Sequence, residues 1–80
     1  MNKHLLRLPD VLMAMGHKRS TLYLRIKQGL IPRPCKLSER CTAWPSDEIT
    51  ALVAAHVAGK SEFEIRELVI KLELQRHTTA

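Results

Sequence analysis

The side chains best suited to chemistry in this sequence crowd into its first half. Arg19, Ser20, Thr21, Tyr23, Arg25 and Lys27 stand within nine residues, and Lys36 and Arg40 follow them. Guanidinium and ammonium groups bind phosphate oxygens, while hydroxyls and lysine also reach hydrogen-bonding groups on base edges. Recognition of a polyanion is therefore the chemistry this set can do. Catalysis has no comparable set. No Ser/His/acid or Cys/His grouping has a credible spacing, no glycine-rich phosphate loop occurs, and the acids mostly fall at expected helix starts and exposed positions. With 80 residues the chain makes one domain at most, burying roughly 60% of its unfolded surface and leaving little room for an enclosed pocket. A binding protein without a cofactor is expected, not an enzyme.

Charge is distributed unevenly. Residues 1–40 carry nine Lys/Arg against two Asp/Glu, and residues 41–80 carry four against six, so the formal net charge of +5 divides as +7 and −2. One surface of a small folded domain with this asymmetry is suited to nucleic acid; a merely solubilised basic surface is the alternative. Apolar residues at 45% and charged residues at 26% fit a folded soluble domain. No stretch resembles a signal peptide or reaches transmembrane length, so a cytoplasmic, nucleoid-associated location is expected, with no membrane partner. Cys35 and Cys41 are too few for a disulfide framework, and their C-x5-C spacing lacks the close pairing of zinc ligands, so no metal site is expected. They could face each other across a hairpin, but partly buried thiols are the expected state in a reducing compartment.

The elements that must position the basic set follow from periodicity. Leu5 to Leu8 form a short extended lead-in, and Pro9 suits the first turn of a helix. Leu8, Val11, Leu12 and Met15 recur at helical spacing until Gly16, which is placed for a left-handed cap. After the turn Gly16-His17-Lys18, a second helix spans Arg19 to Gln28 and stops at Gly29. Leu22 and Ile26 define its inward direction; Ser20, Leu24, Lys27 and Gln28 lie opposite, with Arg19, Thr21, Tyr23 and Arg25 on the flanks. Two short helices joined by a tight glycine turn, the second polar and basic outward, match a helix-turn-helix that enters a major groove. A plain helical hairpin with a solvated second helix is the bland alternative.

Pro32 and Pro34 forbid helix, and Cys35 to Trp44 has the pattern of a small hairpin with Ser38-Glu39-Arg40 as its tip. Beside a helix-turn-helix, this hairpin is a wing that sets Lys36 and Arg40 against phosphates. Trp44 is expected in the core. A third helix begins near Pro45-Ser46-Asp47-Glu48 and ends at Gly59, with Ile49, Leu52, Val53 and Val57 inward and His56 at the packed edge. Ser61 and Glu64 form a capping box that opens a fourth helix, Ser61 to Arg76. That helix bears two opposed apolar stripes: Ile65, Leu68, Val69 and Leu72 on one side, Phe63, Ile70 and Leu74 on the other. If one stripe packs on the domain, the other is an interface for a second copy of the chain. The expected organisation is a winged domain over 1–60, an oligomerisation helix over 61–76 and a tail over 77–80.

Several blocks together carry a family resemblance: Leu5-Leu6-Arg7-Leu8-Pro9-Asp10-Val11, Arg19-Ser20-Thr21-Leu22-Tyr23, Gly29-Leu30-Ile31-Pro32-Arg33-Pro34, and Arg40 to Trp44. Over residues 5–58 the chain resembles the AlpA family, small regulators of phages and integrative elements in the excisionase/MerR-like winged-helix group. The resemblance implies a mainly α fold with a small β-hairpin wing, binding double-stranded DNA as a transcriptional regulator or as an excisionase. An integrase or RNA polymerase is then a candidate partner, while a homo-oligomer is expected from the small footprint of one such domain and the second apolar stripe of the last helix. The family's R-S-T-[IL]-Y block falls on Arg19 to Tyr23 and its wing arginine on Arg40. Ser20, Thr21 and Lys27 are then the expected base readers; Arg19, Tyr23, Arg25, Lys36 and Arg40 are the expected phosphate contacts. Three departures stand out. Lys18 replaces the usual N-cap serine, which weakens the helix start. Leu24 occupies the centre of the outward face, suited to a thymine methyl or a sugar. Glu39 puts a negative charge at a wing tip where relatives have glycine.

Overall fold

The computed structural model describes residues 4–76, and the tail expected over 77–80 lies outside them. In chain order the elements are β1 (Leu5–Leu6), α1 (Leu8–Met15), α2 (Arg19–Lys27), β2 (Cys35–Ser38), β3 (Cys41–Pro45), α3 (Ser46–Val57) and α4 (Glu62–Gln75). The fold is mainly helical with a small antiparallel sheet, the wing-bearing helix-turn-helix arrangement expected from the sequence.

Local chemistry sets the turn between the first two helices. Arg7 is the extended residue before α1, Pro9 occupies the first turn, and the Arg7 N–H donates to Asp10 Oδ2 at 3.3 Å. Gly16 ends the helix in the left-handed region at φ 68°, a conformation that costs glycine no Cβ clash. Its N–H donates to the Met13 carbonyl, and the His17 N–H donates to the Leu12 carbonyl. Those two bonds satisfy carbonyls that the last turn would leave unpaired. Lys18 then stands at the N-cap of α2 and supplies no side-chain cap, in line with the weak start expected there. The helix still begins at Arg19 because Leu22 is anchored, fully buried, in the core.

The segment after α2 differs from an ordinary surface loop. Leu30, Ile31 and Pro32 are buried, so their backbone groups need partners inside the protein. The Leu30 N–H donates to the Arg25 carbonyl at 2.9 Å, and Trp44 Nε1–H donates to the Pro32 carbonyl at 2.8 Å. Trp44, only 1% exposed, is thus the expected core anchor with its polar edge satisfied.

The sheet has the order β1-β3-β2, so the lead-in strand pairs with the hairpin: Leu5 opposite Pro45 and Leu6 opposite Trp44. Within the hairpin, Cys35 faces Ala43, Lys36 faces Thr42 and Ser38 faces Cys41, with a bulge at Leu37. One expectation changes here. The tip is Glu39-Arg40, because Ser38 is already paired. Cys35 faces Ala43 and Cys41 faces Ser38, so the two cysteines are not opposite each other, and both are half-buried free thiols, the state expected of them.

Val11, Leu22, Leu30, Ile31, Trp44, Ile49, Leu52, Ile65 and Val69 form one core cluster. Val57, expected inward, is 82% exposed. Val57 instead lines the open side of a shallow cleft with Ala14, Met15 and His17, so the last turn of α3 adds nothing to the core. Glu48 has a surrounding that the sequence does not display. It stands in the first turn of the third helix as expected, but it is buried there and pairs with Arg76, whose Nη2 and Nε lie 2.6 and 2.8 Å from its two carboxylate oxygens.

The fourth helix opens as expected: Ser61 Oγ accepts from the Glu64 N–H at 3.2 Å, and Glu64 Oε1 accepts from the Ser61 N–H at 3.0 Å. The bond from the Ser61 N–H, joined by the Ser61 side chain, holds the Glu64 carboxyl below its ordinary pKa. Ile65 and Val69 are buried and Leu68 and Leu72 half-buried, so this stripe packs on the domain. Polar ties fix it further. Arg66 Nε donates to the Gln28 carbonyl at 3.0 Å, meeting the negative end of α2. Glu73 accepts from the Arg33 N–H at 2.8 Å, and Arg76 Nη2 donates to the Arg33 carbonyl at 2.8 Å.

Candidate nucleic-acid interface

The outward face of α2 carries Ser20 and Lys27, two of the three predicted base readers; the third, Thr21, is half-buried on a flank. Ser20, Leu24 and Lys27 are exposed, and Leu24 sits at the centre of the face with about half its surface in solvent. The flanks are unequal. Arg19 and Tyr23 are exposed on one, whereas Thr21 and Arg25 are half-buried on the other. Helical geometry accounts for the division, since residues four apart share a flank. No acid lies anywhere in α2 between Arg19 and Lys27, so the field at this face is unopposed from within the helix.

At the wing, Lys36 and Arg40 are both exposed, as is Glu39 beside Arg40 at the tip. Neither tip residue has positive φ, so the two-residue turn is not of the primed type that matches strand twist. The bulge at Leu37 takes up the mismatch by adding local twist. The hairpin is held to the body through β3, which lies against β1, α1 and α3. The hairpin and α2 are thus two basic projections fixed separately to one core.

Arg25 has a neighbourhood that helical spacing alone does not specify. Together with Met15, His17, Leu30, Ile31 and His56 it lines a recess of about 180 Å³. Burial lowers the His17 pKa from its ordinary value, and the nearby Arg25 and His56 lower it further. A shallower cleft of about 280 Å³ continues past His17 and His56 to Ala14, Val53 and Val57. His56 is on the edge of α3 as expected, but exposed.

Phe63, Ile70 and Leu74, the stripe not used in the core, are 60–68% exposed along the outer side of α4. Ile70 and Leu74 line a shallow groove with Glu67, Lys71 and Gln75. Among the described residues, no group of three or more His, Cys, Asp or Glu side chains is placed to hold a metal ion, and no helix is long and apolar enough to cross a membrane.

Comparison with known proteins places these features in a family. A family model described as the prophage CP4-57 regulatory protein (AlpA) matches residues 4–56, which include α1, α2, the hairpin and nearly all of α3. The chain is also similar to the uncharacterized protein ORF88 of Enterobacteria phage P4, at 38% identity over 55 residues. That alignment covers 69% of this chain and 62% of the phage protein's length. No solved structure matches the chain. With the matched region spanning well over half of its length, the chain belongs to the AlpA family of prophage regulatory proteins.

Proposed function

We propose that this protein is a sequence-preferring binder of double-stranded DNA that regulates transcription in a prophage or integrative element. The observation that carries the reading is the outward face of α2: exposed Ser20, Lys27, Arg19 and Tyr23, no acid in the helix, and a glycine turn holding it to α1. In this reading α2 enters the major groove, where Ser20, Thr21 and Lys27 contact base edges and Leu24 meets a thymine methyl or sugar. Arg19, Tyr23, Arg25, Lys36 and Arg40 contact phosphates. Its role is binding rather than catalysis, on the bacterial nucleoid.

One such domain covers a small footprint, so useful specificity needs two or more copies on repeated half-sites. The exposed Phe63-Ile70-Leu74 stripe supports assembly through α4. Wild-type protein is expected to self-associate and an Ile70→Asp variant to run as a monomer; unchanged mass in that variant would remove this part of the proposal.

The main test is binding to labelled DNA from the host element, covering promoter and attachment regions, against scrambled duplex across a salt series. A preference of roughly a thousandfold for one native fragment is expected. Lys27→Ala should weaken binding to that fragment most, while Arg40→Ala should weaken all duplexes alike and reduce the salt slope by about 1. Equal, salt-erased binding to every duplex would overturn the reading. A footprint over a promoter fits the regulator; tandem sites in attachment DNA would instead make the protein an excisionase acting with an integrase.

A further inference from the structure

Three groups able to carry positive charge converge on one recess from three separate elements: His17 from the α1–α2 turn, Arg25 from α2 and His56 from the last turn of α3. Met15, Leu30 and Ile31 complete the lining, so no carboxylate faces the recess from any of the elements around it. Arg25 and His17 are half-buried. Among the described residues, none of the three side chains has a hydrogen-bond or ion-pair partner in the protein. Gathering like charges without an acceptor is unfavourable in the protein alone, and it is resolved when an anion enters, because each repulsion is then exchanged for an attraction.

We propose that the recess bounded by His17, Arg25 and His56 is an oxyanion site that takes a phosphate group. Its volume of about 180 Å³ is several times the roughly 30 Å³ share of a water molecule, enough for a tetrahedral oxyanion. Arg25 offers the planar donor fork that matches two oxygens of one phosphate. His17 and His56, when protonated, donate from the two other walls, and the apolar floor of Leu30 and Ile31 lowers competition from water. A phosphate of the DNA backbone and free phosphate present the same chemistry. The backbone source rests on the proposed DNA binding; the free ion does not. The site also gives Arg25 a role different from that of Arg19 on the opposite flank: it would grip a phosphate in concert with the turn and with α3.

The test follows the imidazole ring protons of His17 and His56 by NMR during pH titrations of the full chain, in chloride and in inorganic phosphate at matched ionic strength. A third titration uses a short duplex without an operator. Occupation should raise the His17 midpoint by about one pH unit and do so saturably. Arg25→Gln should abolish the saturable part, and Arg25→Lys, which keeps the charge without the fork, should retain a weaker response. Trp44 emission checks that each variant is folded. A response to phosphate that the duplex does not compete for identifies the free ion; a response to duplex alone identifies the backbone. Either outcome supports the site. Chloride-like behaviour in both titrations, or an undiminished response in folded Arg25→Gln, would overturn it. Specific DNA binding with His17 unmoved would dispose of the site while leaving the proposed function intact. Saturable phosphate binding without any duplex binding would do the reverse.

Discussion

Removing Arg76 should cost far more stability than neutralising the carboxylate it contacts. The Glu48 side chain is 5% exposed and that of Arg76 is 21% exposed. Two guanidinium nitrogens of Arg76 reach the two Glu48 oxygens at 2.6 and 2.8 Å, and one of them also reaches the Arg33 carbonyl at 2.8 Å. The hydrogen bond to Glu48 raises the Arg76 pKa from its ordinary value. In Arg76→Met a buried carboxylate loses its counter-charge and the Arg33 carbonyl loses a donor. Breaking a buried pair costs about 3–5 kcal/mol; water entering where Arg76 is partly exposed puts the value at the low end, about 3 kcal/mol. In Glu48→Gln the shape is kept, and the guanidinium retains the Arg33 carbonyl and some solvent, so a loss of about 1–2 kcal/mol is expected. At about 0.05–0.15 kcal/mol per residue, 80 residues give a total stability of about 4–12 kcal/mol, so Arg76→Met removes a quarter or more of it. Urea unfolding followed by the fluorescence of buried Trp44 measures both variants. The double variant Glu48→Leu/Arg76→Met should recover most of the loss, since an apolar pair of similar volume often replaces a buried ion pair without penalty. Arg76→Met losing less than about 1 kcal/mol, or losing less than Glu48→Gln, would refute the reasoning.

Four further outcomes are expected. Ser61→Ala removes the acceptor for the Glu64 N–H and should destabilise by about 1 kcal/mol in urea; an unchanged midpoint would show that α4 does not need its cap. Gly29 holds φ at 79°, and a methyl added there would meet only Arg66 Cγ, at 3.9 Å, so Gly29→Ala should cost about 1–2 kcal/mol from backbone conformation, not from crowding, and a stabilised variant would contradict this. Because His17 has its pKa lowered in the folded protein, the unfolded chain binds more protons through the imidazole range; thermal stability should therefore be complete above the ordinary histidine pKa and fall as pH is lowered towards the folded value. His17→Gln should flatten that fall, and an identical pH profile in the variant would exclude His17 as its source. Trp44→Phe leaves the Pro32 carbonyl buried without its donor and should cost about 1–3 kcal/mol on that account, read by circular dichroism since the fluorophore is lost.

Much of the fold was legible in short-range pattern. Gly16, Gly29 and Gly59 end α1, α2 and α3, each in the left-handed region, and Ser61 with Glu64 opens α4. These devices need only neighbours within a few residues, which a sequence displays directly. The outward face of α2 was legible for the same reason: a 3.6-residue period with Leu22 inward leaves Ser20, Leu24 and Lys27 outward whatever surrounds the helix. Periodicity failed at Val57, which is 82% exposed, because an apolar pattern that continues along a helix does not tell where the core it packs on ends. Nor does a local pattern display the burial of Glu48, whose partner Arg76 lies 28 residues away.

The sequence by itself therefore determined the helices, their ends, the hairpin and the polar identity of the outward face of α2, since each depends on dihedral preference or on a repeat within one element. Only the tertiary structure decided which stripe of α4 is buried, which flank of α2 is open, and that His17, Arg25 and His56 share one recess. Those outcomes depend on how separate elements pack. The two stripes of α4 are both apolar, and the flanks of α2 are both cationic, so hydropathy cannot rank them. Long-range contacts rank them instead: Arg66 on the end of α2, Glu73 and Arg76 on Arg33, and Ile65 and Val69 in the common core.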